Sequence, residues 1–179
     1  MPGICRVDHV KAPGVTISRK FSVSLHVDEL LTKCSQSVFA LRTLRQHGLP
    51  PDALHAVFQA VVVNKLTYAS PAWYGFTSAA DRGRLDSFLR RSGARLGYRD
   101  AHSPSFDSLC KTANEQLFVK IMKNKQHLLR SLQPPQREQH YKLRDRRVHN
   151  FQLPTSRTSS TIDSNFIVWM LFKNSGCAS

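Results

Sequence analysis

Carboxylates are few in this chain and never clustered. Twelve Asp and Glu stand against 26 Lys and Arg in 179 residues, and no D-D or D-x-D occurs. Metal-assisted phosphoryl transfer needs carboxylates that converge on divalent cations, so no such centre is expected. Asp28-Glu29 is the only adjacent pair, and helix-terminus charge explains it better. Cysteine is also sparse. Cys5, Cys34, Cys110 and Cys177 lie far apart, with no CxxC or CxxH. A structural zinc site takes its ligands in short pairs, so free thiols in a reducing compartment are expected instead. The glycines are isolated, so there is no phosphate loop, and no G-x-S-x-G nucleophile turn occurs. The first residues, MPGICRVDHVKAPG, hold no apolar core of a signal peptide. The longest apolar run, "FIVWMLF" at 166–172, is far too short to span a bilayer. The expectation is an intracellular protein of the nucleus or cytoplasm, neither secreted nor membrane-bound, with no metal and no cofactor.

What the chain does have is positive charge. The net charge is +14 and the pI about 10.2, a balance that points to a polyanion, with nucleic acid ahead of an anionic membrane. Residues 41–150 carry 19 of the 26 cations, and the last 29 residues carry two. The basic character therefore belongs to the body of the chain, not to a tail. The hydrophobic fraction, 41%, is ordinary for a chain that buries a core.

The apolar period is mostly helical. Residues 1–13 read as irregular, and "GVTI" (14–17) reads as a short strand with no neighbour. Ser24 is a candidate N-cap. Val27, Leu30, Leu31, Cys34, Val38, Leu41 and Leu44 then recur at helical spacing, up to a stop at Gly48 and Pro50. A second helix opens at Pro51. Its stripe of Leu54, Val57, Phe58, Val61, Val62 and Leu66 is the expected centre of the core. Pro71 and Gly75 interrupt it. "SAAD" (78–81) reads as a capping box opening a third helix that carries Leu85, Phe88, Leu89 and Leu96. A short helix follows Ser103-Pro104, and a longer one is expected over 114–132. The segment 136–160 is basic and irregular. Residues 163–173 fit a last helix capped by Asp163, or a strand.

Cations and aromatics interleave between "HYKLRD" and "SRTSS": His140, Tyr141, Lys142, Arg144, Arg146, Arg147, His149, Phe151 and Arg157. Phosphate contact plus base stacking suits such a pattern. A basic loop whose aromatics anchor it on the protein's own surface accounts for it equally well.

The succession from "GVTISRKFSVSLHVDELLTKC" through "SGARLGY", with "PPQREQHYKLRDRRVHNFQLP" and "NFIVWMLFKN", closely resembles the reverse transcriptases of non-LTR retrotransposons (long interspersed elements). The resemblance covers about residues 13–174. It implies that Gly14–Ile17 belongs to the primer-grip hairpin that follows the catalytic palm, and that thumb helices come next. On that basis residues 1–20 are a palm remnant, 21–99 a thumb-like bundle, 100–135 additional helices, and 136–179 a basic extension. The expected fold is mainly α: a small helical bundle with a short orphan β strand near the N-terminus and an irregular basic C-terminal segment. The strand should be weakly held, with Val15 and Ile17 more exposed than Leu41 or Val61.

The resemblance implies an RNA-directed DNA polymerase fragment without catalytic residues, able to bind template–primer without reading its sequence. The expected contact residues are Arg19 and Lys20 at the hairpin, Arg90, Arg91 and Arg95 on the third helix, and Arg144, Arg146 and Arg147 beyond. Two other readings stay open. One is a helical module that binds a protein partner through an exposed apolar helix face. The other is a decayed reading frame with no function.

Overall fold

A computed structural model describes residues 7–97, 104–136, 149, 151–153 and 164–175. The fold is mainly α, with one two-stranded antiparallel sheet near the N-terminus. The chain divides into two compact units, Met1–Lys111 and Thr112–Ser179.

The strand does have a neighbour. β1 (His9–Ala12) pairs with β2 (Val15–Ser18), Ala12 opposite Val15 and His9 opposite Ser18. Pro13 and Gly14 form the turn: proline fixes one φ, and Gly14 takes φ +83, which favours glycine. The partner strand comes from residues expected to be irregular, because a Pro-Gly turn carries a hairpin without the Asn-Gly signal. The expected exposure is also corrected. Val15 is 4% exposed, as buried as Leu41 at 3%, whereas Val61 is 38% exposed. Val15 joins the main core, and Ile17 packs against it. A two-stranded hairpin is marginal alone in water, and this one is held by the helices beneath it.

Helix α1 (Ser24–Gln46) buries Val27, Leu30, Cys34, Val38 and Leu41. That spacing of three and four is an amphipathic stripe. Val23, not Ser24, occupies its cap position and supplies no side-chain bond. Asp28 and Glu29 lie beyond the first turn. Helix α2 (Pro51–Phe58) opens with proline at its first position, where the missing N–H costs nothing. It runs into a π-helical turn, Gln59–Val63, and then α3 (Asn64–Thr67).

The same stretch holds a second correction, part of which the wide turn explains. Leu54, Phe58 and Leu66 are buried as expected, but Val57 and Val61 are exposed, while Val62 and Val63 are buried. A π turn inserts one residue into the helical period. Within it Val62 and Val63 are buried in place of the expected Val61 and Val62, while Val57 lies before the turn and owes its exposure to α2 itself.

Helix α4 (Ser70–Trp73) and a 3₁₀ turn, Tyr74–Phe76, lead to α5 (Ala79–Arg95). Trp73 is fully buried between His26, edge-on at 5.0 Å, and Phe106, stacked at 6.2 Å. Its indole N–H donates to the carbonyl of Tyr68 at 2.9 Å, so the buried aromatic leaves no polar group unpaired.

Helix α6 (Phe106–Lys123) begins in the first core through Phe106 and Cys110. It stops at Lys123, short of the expected 132. The run Asn124-Lys125-Gln126 has nothing apolar to bury, and the Asn124 side chain accepts from the Gln126 amide at 2.9 Å, a local turn that competes with helix. Arg130, from the 3₁₀ turn Leu128–Leu132, donates to the Met122 carbonyl at 2.9 Å and caps the exposed end. In the second unit Phe118, Phe151, Met170 and Leu171 form a core. Helix α7 (Phe166–Lys173) is capped by Asn165, whose side chain accepts from the Ile167 amide at 2.9 Å. Asp163 lies outside the described residues.

Val62→Asp should destabilise by ~3–5 kcal/mol, the range for an uncompensated buried charge. Val61→Asp should cost about 1 kcal/mol or less, as at an exposed site. Chemical denaturation of the two variants checks the shifted face, and equal losses would contradict it.

Candidate nucleic-acid interface

Helix α5 carries the arginines and is fixed at its start by one carboxylate. Ser78 caps the helix by accepting from the Asp81 amide at 3.0 Å, as the SAAD pattern implies. The Asp81 side chain, 4% exposed, does not reach back to the Ser78 amide. It accepts instead from the hydroxyls of Ser78 and Ser24, each at 2.8 Å, and from the Arg84 guanidinium at 3.2 Å. Ser24 is the first residue of α1, so its hydroxyl ties the starts of two helices together. Arg84 also pairs with Asp28 of α1. Burial is the largest influence on the Asp81 carboxyl and pushes its pKa up. The bonds from Ser78, Ser24 and Arg84, with the charge of Arg84, outweigh it and hold the pKa below the ordinary value.

The two helices thus start side by side and run in the same direction. At their far ends Arg45 of α1 donates to the Arg95 carbonyl at 3.0 Å, meeting the negative end of the α5 dipole. Its guanidinium lies beside Gly97, which takes φ +89.

Arg84, Arg91 and Arg95 are spaced seven and four apart and so share a stripe on α5. Arg91 and Arg95 are exposed one helical turn apart, and Arg45 reaches the Arg95 carbonyl, so the three mark one cationic end of the α1–α5 pair. Arg90 is exposed too, but it lies about 100° around the helix from Arg91, at the other border of the solvent face. The sequence-predicted trio is therefore two neighbours and an outlier. Sequence reading missed Arg45, because only tertiary packing brings the end of α1 to the end of α5.

Arg19 and Lys20 follow β2 and are exposed. The Arg19 amide donates to the Asp8 carbonyl at 2.8 Å, extending the hairpin ladder and fixing the turn that presents both side chains. Phe21, next in line, takes φ 56 and stacks on Phe76 at 6.0 Å. Arg144, Arg146 and Arg147 lie outside the described residues.

Two aromatics of the interleaved basic segment are placed. Phe151 is in the second core. His149 is buried, with Nε2 2.8 Å from the Leu171 carbonyl and Nδ1 accepting from the Phe151 amide at 3.3 Å. Nδ1 must be the unprotonated nitrogen, so Nε2–H donates to the carbonyl. Both rings serve as anchors.

Cys34 and Cys110 are free and buried. Burial pushes the Cys34 thiol up to about 11 and the Cys110 thiol up to about 12, so both stay protonated and unreactive near neutral pH. Among the described residues no group of three or more His, Cys, Asp or Glu is placed to hold a metal, and no helix is long and apolar enough to cross a membrane.

Burial is also the main reason that His26 has its pKa lowered from 6.5, with Glu29 opposing and Lys33 adding to the shift. A lowered folded-state pKa means that the unfolded chain takes up the proton first. The stability from neutral His26 is complete above pH 6.5 and is lost as pH falls through that value toward the folded pKa. Asp81 follows the same sign in a lower window: its contribution is present above pH 3.8 and is lost below. Stability should therefore fall in two separate steps on acidification. His26→Gln should remove the upper step and Asp81→Asn the lower one, as read by denaturant midpoints against pH.

Comparison with protein-family models, with curated proteins and with solved structures gave no match for this chain.

Proposed function

We propose that this chain is the thumb and C-terminal portion of a non-LTR retrotransposon reverse transcriptase, a part of an RNA-directed DNA polymerase that binds template–primer and does no chemistry itself. The sequence resemblance across residues 13–174 motivates the reading. The observation that carries it is the cationic end formed by Arg45, Arg91 and Arg95 on parallel helices; Arg19 and Lys20, exposed after β2, lie before the start of α1, at the opposite end of the pair.

Such a surface suits a phosphate backbone for a physical reason. Guanidinium groups on a helix edge, held by packing beneath them, contact successive phosphates without reading bases. Arg84 is committed to Asp28 and Asp81, so its role is to hold α5 in place. Arg91 is free to face solvent with its Nε bonded to the Ser87 carbonyl at 3.1 Å, which limits its rotamers.

A protein-interaction module is the second reading. It is favoured by exposed apolar side chains on α1: Phe39 is 70% exposed, and Leu25 and Leu44 are exposed with it.

Binding to duplex or RNA–DNA hybrid should weaken with salt. Neutralising roughly four to six phosphates gives a slope of log K against log salt of about −3 to −5. The double reversal Arg91→Glu/Arg95→Glu should weaken binding to all sequences alike and reduce the slope by about 2, while Arg90→Glu should have a smaller effect. A flat salt dependence, or partner capture that survives high salt with no nucleic-acid binding, would favour the second reading. In a primer-extension assay with magnesium or manganese the chain should add no nucleotide, and extension would overturn the assignment to the thumb.

A further inference from the structure

A cleft of about 500 Å³ opens in the first unit between the hairpin, α1 and the segment from the π turn to Tyr68. Lys11 of β1, Lys33 of α1 and Lys65 of α3 line it, with Glu29, Asn64 and Tyr68. The three cations thus come from three separate elements and face one space. Among the described residues none of them is in an ion pair. The Nζ of Lys65 has only the Ser37 hydroxyl, at 3.4 Å. Glu29 is the one carboxylate in the lining, so the cleft carries a net positive charge that nothing in its own walls balances.

Several uncommon backbone features meet at Tyr68. The π turn Gln59–Val63 ends one short helix before it, and such turns gather at functional sites. Ala69 beside it takes φ 50, a left-handed conformation that non-glycine residues adopt at a cost. Gly14 lies against the ring: a Cβ there would stand 2.6 Å from Tyr68 Cε1. The hairpin turn therefore braces one part of the ring, while the residue remains 57% exposed. The result is a fixed aromatic platform at the rim of a lysine-lined cleft.

We propose that this cleft holds one unpaired nucleotide of a single-stranded nucleic acid. The lysines take the phosphate, and the base stacks on Tyr68. Asn64 and Glu29 offer a donor and acceptors to the base edge. The cleft has the volume of a small-molecule site and an apolar wall at Leu30 and Val61, more than a bare anion needs. The inference takes its class of partner from the nucleic-acid reading above, yet it concerns separate residues and fails separately.

The test is fluorescence anisotropy of the full chain with a labelled single strand and with the duplex of the same sequence. Tyr68→Leu, which keeps an apolar side chain against Gly14, should weaken single-strand binding about fivefold or more and leave duplex binding within about twofold. Lys33→Gln and Lys65→Gln should each reduce the single-strand salt slope by about 0.7. Lys33 is exposed and Lys65 half-buried, so these variants test the cleft even if Tyr68→Leu unfolds. Arg91→Glu/Arg95→Glu should instead reduce duplex binding. Adenosine monophosphate should compete for the single strand at concentrations where inorganic phosphate of equal ionic strength does not. Unchanged single-strand affinity and slope in the Tyr68 and lysine variants would overturn the proposal, as would equal competition by phosphate, which would mark a simple anion site. Loss of duplex binding in the unaltered chain would count against the thumb reading and leave the cleft standing.

Discussion

The buried carboxylate of Asp81 is the constraint on which the arrangement of the first unit depends. It receives hydroxyls from the start of α1 and from the cap of α5, and a guanidinium from the next turn of α5. A carboxylate out of water is costly unless it is hydrogen-bonded and paired, and these three donors engage both of its oxygens. The consequence is directional. With their starts joined and their far ends in contact, α1 and α5 run the same way, and their C-terminal ends, each the negative end of a dipole, come to the same region. Arg45 answers that accumulation by donating to the Arg95 carbonyl. The charge that makes the cationic end of the pair is thus partly a structural answer to parallel helices.

The hairpin and the π turn depend on this frame in turn. α1 presents one buried stripe, and Val15 of β2 and Val62 and Val63 of the π turn belong to the core built on it. The hairpin supplies little stability of its own. Its burial of Val15 and Thr16 comes from leaning on helices, and Gly14 lets it approach the Tyr68 ring closely. A strained residue, Ala69, and a widened helical turn lie in the same region. Local rules are broken together there, which is common where geometry serves binding instead of packing.

The basic segment divides differently. Two of its aromatics, His149 and Phe151, are spent on the second core, where the imidazole bridges Leu171 and the Phe151 amide. An aromatic among cations has two uses, to stack on a base or to anchor a loop, and composition alone does not separate them. Here burial and the two hydrogen bonds assign both rings to anchoring.

The sequence by itself determined the helical class, the stripe of α1 as far as Leu41 though not its expected last member, the exposed Leu44, the proline start of α2, the Ser78 cap and the early stop before Gly48, because each rests on local periodicity or on a side chain bonding its own backbone. It also placed a strand at 14–17, one residue ahead of the observed Val15–Ser18, though not its partner. Only the tertiary structure decided the rest. That Val63 and not Val61 faces inward beside Val62 depended on a π turn, and a wide turn leaves no mark in a run of apolar residues. Whether Ser24 capped its own helix or reached Asp81, 57 residues away, depended on how two helices packed. The same holds for the cations: that Arg45 joins Arg91 and Arg95, that Arg90 stands apart, and that Lys11, Lys33 and Lys65 share one cleft all follow from distances between elements, and those are set by the core they close on.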